Sequence, residues 1–342
     1  MKKNYSYWFL IGICTLLSTL STAQNVGINT ITPSGKLHVK GAEDISQLII
    51  DADTLQGNQN PLIKLRSGMG ADLLWIHSDD STNVFVGLKA GSVNIAGLEG
   101  IKNTFIGSRA GIANNDGTAN TAIGYEALHA NIIGSYNTAT GLEALRNNTT
   151  GISNTAVGIV ALKENTTGNY NTSIGAGALR ENTTGYNNTA SGYAALVSNK
   201  TGYKNTATGY EALKSNTSGK WNTGVGEQAL YTNKTGNANT AVGAKALQNN
   251  VTGYSNTAIS ADALKSNSTG SENTAIGDEA LYQNTTGYSN TAVGVVALQE
   301  NTSGIFNVAL GVGAADANTT GSRNVSIGSF STSTATTGQK NT

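Results

Sequence analysis

The side chains that most often carry out catalysis are few and scattered in this sequence. The three histidines, His38, His77 and His129, stand in unrelated contexts. Neither an HExxH zinc pair, nor a GxSxG nucleophile turn, nor a phosphate-binding glycine loop occurs. The single cysteine, Cys14, lies in an apolar N-terminal run and has no second thiol with which to form a disulfide or a metal site. We therefore predict no catalytic residue, no metal and no cofactor.

Carboxylates provide two weak candidates for a cation site. Asp51 and Asp53 would lie on one face of a strand, two residues apart, and Asp79 and Asp80 follow His77. A polar strand face and a turn explain both pairs without a ligand, and we favour that interpretation. Four more carboxylates share one position of an internal repeat and are expected to be solvated outer residues: Glu126, Glu143, Glu211 and Glu279.

An internal repeat of 17 residues organises the chain. Numbered from its opening asparagine, one copy is NTATGYEALKSNTSGKW at residues 205–221, and a degenerate earlier copy opens at Asn83 with three extra residues before the next. A fixed short period is the signature of a solenoid, here expected over residues 83–342 and ending inside a repeat. The opening asparagines, predicted to form a structural ladder, are Asn103, Asn120, Asn137, Asn154, Asn171, Asn188, Asn205, Asn222, Asn239, Asn256, Asn273, Asn290, Asn307 and Asn324.

The repeat columns predict an all-β fold, a parallel β-solenoid with about 17 residues per coil. Positions 2–4 read as a short strand, and position 5 is glycine except at Ser260, as expected of a residue with positive φ. Alanine at positions 3 and 8 indicates a thin core. We expect two short strands and two turns per coil. The uneven aliphatic file at position 4 favours packing against other copies of the chain, for instance as a homotrimer.

Two features leave alternatives open. The segments around residues 178–181 and 211–214 consist of good helix formers, so this part of each coil is either one helical turn or a short strand or bend, and we favour the latter. The threonine corner at positions 13 and 14, for example Thr149 and Thr150, repeats regularly and is a candidate ice-binding surface. Three residues interrupt that corner: Lys200, Lys234 and Val251.

An export signal is predicted over residues 1–23. Lys2 and Lys3 supply its positive end, an apolar run follows, and small residues end at Ala23, before a cleavage site ahead of Gln24. We therefore expect a secreted or cell-surface protein without a membrane span once the signal is removed. The neutral net charge and the absence of a basic patch argue against nucleic acid as a partner.

Residues 24–82 are predicted to form a small β-meander that caps the first coil, as solenoid ends require. Trp75 and Phe85 are its predicted core residues. The predicted strands lie at residues 36–40, 48–52, 62–66 and 73–77.

The repeating NTAIG…AL…NTTG units resemble the head repeats of trimeric autotransporter adhesins. The whole arrangement resembles a group of exported bacterial proteins related to phage tail fibres. In that group a VGINTxTPSxKLHV segment, here residues 26–39, precedes NTAxGYxAL arrays, and an endosialidase-type intramolecular chaperone often follows. The resemblance covers roughly residues 25–342 and implies a trimeric, surface-displayed fibre with an adhesive or spacing role. It implies no catalytic residues.

Our prediction from the sequence is a secreted or surface-displayed structural or adhesive fibre without catalysis, an adhesin head or fibre shaft, whose surface ligand is unknown. The alternatives are a monomeric solenoid that binds ice or a glycan, and a spacer for a module beyond Thr342. A monomeric solenoid predicts a monomeric mass in solution, and an ice-binding solenoid also predicts thermal hysteresis. A spacer predicts further coding sequence beyond Thr342.

Overall fold

The computed structural model describes residues 26–28, 37–39, 62–94, 100–332 and 336–340. Two compact units are present, Met1–Leu55 and Gln56–Thr342. In the first unit, strand β1 (Val26–Ile28) pairs in parallel with β2 (Leu37–Val39), which confirms the strand predicted at residues 36–40. The signal segment, its cleavage site at Ala23 and Gln24, Asp51, Asp53 and the strand predicted at residues 48–52 lie outside the described residues.

The second unit begins with an antiparallel cap, as predicted. Strands β3 (Ile63–Arg66) and β4 (Asp72–His77) form a hairpin, and β4 pairs antiparallel with β5 (Val84–Val86), the first strand of the solenoid. Trp75 and Phe85 are buried, with 7% and 0% of their surface exposed. Both are core residues, as the sequence predicted.

From β5 onward the sheet is parallel and each coil contributes one strand. The register step is 17 residues, as between Thr206 and Thr223, except for a step of 20 from Val84 to Thr104, where the three extra residues fall. Fourteen steps of about 4.8 Å make the solenoid about 67 Å long. The further strands are β6 (Thr104–Ile106), β7 (Thr121–Ile123), β8 (Thr138–Thr140), β9 (Thr155–Val157), β10 (Thr172–Ile174), β11 (Thr189–Ser191), β12 (Thr206–Thr208), β13 (Thr223–Val225), β14 (Thr240–Val242), β15 (Thr257–Ile259), β16 (Thr274–Ile276), β17 (Thr291–Val293), β18 (Val308–Leu310) and β19 (Val325–Ile327).

The rest of each coil is a series of β-turns, and no helix occurs in the described residues. In the coil that opens at Asn205, Ala212 N–H donates to the Gly209 carbonyl, Lys214 N–H to Glu211, and Asn216 N–H to Leu213. The alternate amides bond to neighbouring coils, as Leu213 N–H does to the Ala229 carbonyl. The one-turn-helix alternative is therefore wrong, and the second strand expected in each coil is a run of turns.

The core is built from two columns of side chains, at positions 3 and 9, in which a small residue at one position is paired with a larger residue at the other. In the regular coils, Ala at position 3 faces Leu at position 9, and both are fully buried, as Ala207 and Leu213 are. In the first coils Phe85 and Phe105 take position 3 and stack 5.1 Å apart. Glycine then replaces leucine at position 9, where a Cβ on Gly111 would lie 2.6 Å from the Phe105 ring. Each coil up to Leu298 is thus filled by one large side chain, either phenylalanine or leucine.

Candidate functional site

The predicted asparagine ladder lies inside the solenoid. Asn205 is fully buried; its backbone N–H and its Nδ2 both donate to Oδ1 of Asn188, at 3.0 and 3.1 Å, and its Nδ2 also donates to the Gly219 carbonyl at 2.8 Å. The other opening asparagines are placed in the same column, all buried except Asn324, which is half-buried. These amides are held by one another and by backbone, so they do not face a ligand.

A second asparagine column at position 12 joins the first. Asn216 Nδ2 donates to Asn199 Oδ1 at 2.8 Å and to the same Gly219 carbonyl at 3.1 Å. Position 15 must be glycine because a Cβ on Gly219 would lie 2.3 Å from Asn216 Oδ1 and 2.5 Å from the next glycine carbonyl. Both corners of each coil are therefore fixed from inside, by side chains that satisfy the buried backbone.

Asp79 and Asp80 have separate structural roles. Asp79 accepts hydrogen bonds from Nδ2 of Asn83 and Asn94, the first rungs of the two columns. Asp80 closes the following turn by accepting from the backbone and hydroxyl of Thr82. His77 is buried, its Nε2 lies 2.8 Å from the Ala90 carbonyl, and burial lowers its pKa. The described residues hold no cluster of three potential metal ligands.

The position 13 side chains of the threonine corner are turned toward the protein's own backbone. Thr149 Oγ1 donates to the Thr166 carbonyl at 2.9 Å, and Thr166 Oγ1 donates to the Thr183 carbonyl at 3.0 Å. Lys200 continues this file, because its backbone carbonyl accepts from Thr183 Oγ1. The position 13 hydroxyls are thus committed to the protein and do not form a free array.

Two of the four repeat carboxylates are buried, which corrects the prediction that all are solvated. Glu126 is 4% exposed and accepts from Arg146 Nε at 2.7 Å and from Arg109 Nη1 at 3.0 Å. The hydrogen bond from Arg146 is the main reason that the pKa of Glu126 falls to about 2. Glu211 is bonded to Lys214 in the same way, and its pKa is also lowered. A carboxylate held ionised by cations is a poor proton donor, so these pairs are structural.

The outer face of the sheet is the largest regular surface. Position 3 points inward while positions 2 and 4 point outward, so threonines from Thr104 to Thr291 form one file and mostly aliphatic residues form the next. None of these twelve position 2 hydroxyls has a hydrogen bond among the described residues. From β13 on, the position 4 residues are without exception aliphatic: Val225, Val242, Ile259, Ile276, Val293, Leu310 and Ile327.

Aromatic side chains border this face at positions 16 and 17. Tyr186 and Tyr203 stack with ring centroids 4.7 Å apart and planes 5° apart, and Trp221 meets Tyr203 edge to face at 5.5 Å. Lys220 Nζ lies over both the Tyr203 and the Trp221 rings. These two positions vary from copy to copy, so the repeat pattern alone does not single them out. The signal that could have revealed them is the recurrence of Tyr, Trp and Phe at one edge of the strand.

Comparison with known proteins finds no matching family model, no matching curated protein and no matching solved structure. Among the residues that the structure describes, none belongs to a helix with the length and apolar character needed to cross a membrane. The described chain is a parallel solenoid whose two buried asparagine columns are bonded from coil to coil and whose lateral surface carries rows of threonine, aliphatic and aromatic residues.

Proposed function

We propose that this chain is an exported fibre protein of the cell surface, with an adhesive or spacing role and no catalysis, and that it acts as a homotrimer. The observation that carries the proposal is the unbroken run of parallel strands β5–β19, in which every coil is bonded to the next in one register. Such a rod bears load along its length and keeps its side chains at fixed spacing. The signal predicted at residues 1–23 supports export.

The part of the sheet face from β13 to β19, where every position 4 residue is aliphatic, supports contact between copies of the chain. Ile259 and Ile276 are 39% and 38% exposed, although both are large and apolar. A contiguous apolar face of this kind marks an interaction surface in soluble proteins. Identical copies arranged about a threefold axis would cover it with the same residues from each chain.

Light scattering after size-exclusion chromatography tests the trimer. We expect a mass three times that of one chain, and a monomeric mass would argue strongly against the fibre. The variant Ile259→Lys should dissociate the assembly by placing a charge on the shared face. Ser218→Lys places the same charge on the threonine corner and should leave the mass unchanged. N-terminal sequencing of protein recovered outside the cell tests export, and we expect it to begin at Gln24.

A second candidate function is ice binding by the sheet face. The observation that favours it is the file of outward threonines from Thr104 to Thr291, whose hydroxyls are free to order water at about 4.8 Å spacing. Thermal hysteresis of a monomeric preparation would support it. A flat result with a trimeric mass would leave the fibre proposal in place.

A further inference from the structure

A slot between two tyrosines interrupts the aromatic edge of the solenoid. Tyr254 and Tyr288 both hold position 16, two coils apart, and the coil between them carries Ser271. An open cavity of about 380 Å³ lies here, lined by Tyr254, Thr269, Ser271, Glu272, Thr286 and Tyr288. It belongs neither to the sheet face nor to the asparagine interior.

The width of the slot follows from the coil spacing. Equivalent backbone positions two coils apart are separated by about 9.6 Å. Where adjacent coils both carry tyrosine, as at Tyr186 and Tyr203, the rings close to 4.7 Å and leave no gap. Ser271 is buried and ends before the ring would begin, so the middle ring of the stack is missing. A six-membered ring placed midway would lie about 4.8 Å from each phenol, within the range of aromatic stacking.

The polar groups of the slot are available to a ligand. The hydroxyls of Thr269 and Thr286 have no hydrogen bond among the described residues. Glu272 Oε2 accepts from Ser289 Oγ at 3.0 Å, while Oε1 has no described partner. Ser271 Oγ is already used, accepting from Tyr254 N–H and donating to the Thr269 carbonyl. Tyr288 is held from its far side by Phe306, edge to face at 5.3 Å. The Tyr288 side of the slot is therefore supported by a second ring, and the rim is polar.

We propose that this slot binds one pyranose ring of a glycan. The two phenol rings would stack on the C–H faces of the sugar, and Glu272, Thr269 and Thr286 would bond to the hydroxyls at its edge. Concave sites with apolar walls and a few convergent polar groups are the usual form of small-molecule sites. A quaternary ammonium ion would use the rings and the carboxylate but neither threonine. This proposal names a ligand class for the adhesive role proposed above, and its biological importance rests on that role. The geometry of the slot does not depend on it.

Saturation-transfer NMR with the purified chain tests the proposal. The probes are methyl glycosides of glucose, galactose, mannose and N-acetylglucosamine at millimolar concentration. We expect at least one glycoside to show transfer strongest at its ring C–H protons. Ser271→Tyr should complete the stack, as in Tyr186–Tyr203, and weaken binding at least tenfold while leaving the circular dichroism spectrum unchanged.

A matched control exists at Ser135, which also holds position 16. Its Oγ accepts from Thr118 N–H and donates to the Ile133 carbonyl, the same two bonds that Ser271 makes, but position 16 of the neighbouring coils carries Thr118 and Ile152 and not tyrosine. Ser135→Tyr should therefore leave glycoside binding unchanged. Binding that survives Ser271→Tyr, transfer to no glycoside, or binding of tetramethylammonium ion alone would each overturn the proposal. None of these results would alter the oligomeric mass or the mature N-terminus, so a failure here is distinguishable from a failure of the fibre proposal.

Discussion

The ring of Phe105 occupies the space that a Cβ on Gly111 would need, since that atom would lie 2.6 Å from the ring. The two residues thus form one packing unit, equivalent to the Ala and Leu pair of the later coils. The backbone at Gly111 has φ of 56°, close to the 52° of Leu213 at the same position. Leucine can therefore adopt this conformation wherever its side chain has room.

This relationship predicts compensation between two substitutions. Phe105→Ala alone should lower the free energy of unfolding by about 3–5 kcal/mol, because it leaves a cavity. Gly111→Leu alone should destabilise by overpacking. The double variant restores the regular Ala and Leu pair and should be more stable than Phe105→Ala alone, which denaturant titration would measure. Additive losses would show that the two residues are not coupled.

Removing one rung of the asparagine interior should be costly. Asn216→Ala removes the bonds to Asn199 and Gly219 and leaves one N–H of Asn233 Nδ2 without an acceptor, since only its bond to the Gly236 carbonyl remains. We expect a loss of about 2–4 kcal/mol, because a buried donor left unpaired is expensive. Thermal unfolding followed by circular dichroism would measure it. Asn249→Ala is the control: Asn249 is exposed, its side chain makes no hydrogen bond among the described residues, and alanine already occupies that position at Ala130, so the melting temperature should stay near that of the parent.

The low pKa of Glu126 predicts how stability depends on pH. The pKa is about 2 in the folded chain against an ordinary 4.5, so the carboxylate stabilises the fold above pH 4.5. That contribution should fade as the pH falls from 4.5 to 2. Glu126→Gln should destabilise by about 1–3 kcal/mol at neutral pH, and the difference from the parent should vanish near pH 2. Glu300→Gln changes an exposed carboxylate and should show no such trend in melting temperature; a constant offset for Glu126→Gln would contradict the ion-pair account.

The column of leucines at position 9 ends two coils before the last strand of the solenoid. This predicts that adding one more leucine will stabilise the fold. After Leu298, position 9 carries Ala315 and then Thr332, and a cavity of about 360 Å³ lies among these residues. Ala315→Leu should fill part of it and raise stability by about 0.5–2 kcal/mol. The φ of Ala315 is 50°, which leucine adopts at Leu298. A lower melting temperature than that of the parent would mean that the space is not accessible to the side chain.

Ser260 is the one exception among the position 5 glycines and has φ of 112°. The equivalent glycines, such as Gly226 with φ of 133°, stand so close to the next coil that a Cβ would lie 2.4 Å from its carbonyl oxygen. Ser260→Gly should therefore relieve strain and raise stability by about 1 kcal/mol. Gly226→Ser is the mirror experiment and should lower the melting temperature. No gain for Ser260→Gly would mean that the coil has relaxed around the serine.

The period, the strand at positions 2–4, the glycine that ends it and the antiparallel cap could all be predicted from the sequence. Their signals are local, because strand alternation and the conformational freedom of glycine act within a few residues. The turns were harder to predict, since residues such as Glu211 and Leu213 are good helix formers and both have positive φ. Hydrogen bonds between coils outweigh the cost of roughly 1–2 kcal/mol for each such residue, and a single copy of the repeat does not show those bonds.

The candidate slot at Ser271 could not be predicted for a related reason. Positions 16 and 17 vary from copy to copy, so in the sequence they are indistinguishable from ordinary variable surface residues. Whether a slot forms depends on which residues hold position 16 in three successive coils. Here it forms because Ser271 lies between Tyr254 and Tyr288. The burial of Glu126 likewise depends on Arg109 and Arg146, which belong to the preceding and following copies.

The hydrogen bonds within each asparagine column and the pairing of successive strands join equivalent positions of neighbouring copies, and these bonds do not depend on which two copies meet. A segment of 17 residues can therefore be duplicated or lost while the strands and both asparagine columns stay in register. The gene can consequently lengthen or shorten this rod by recombination between its own copies. The length of the solenoid then becomes a trait that selection can adjust in whole units.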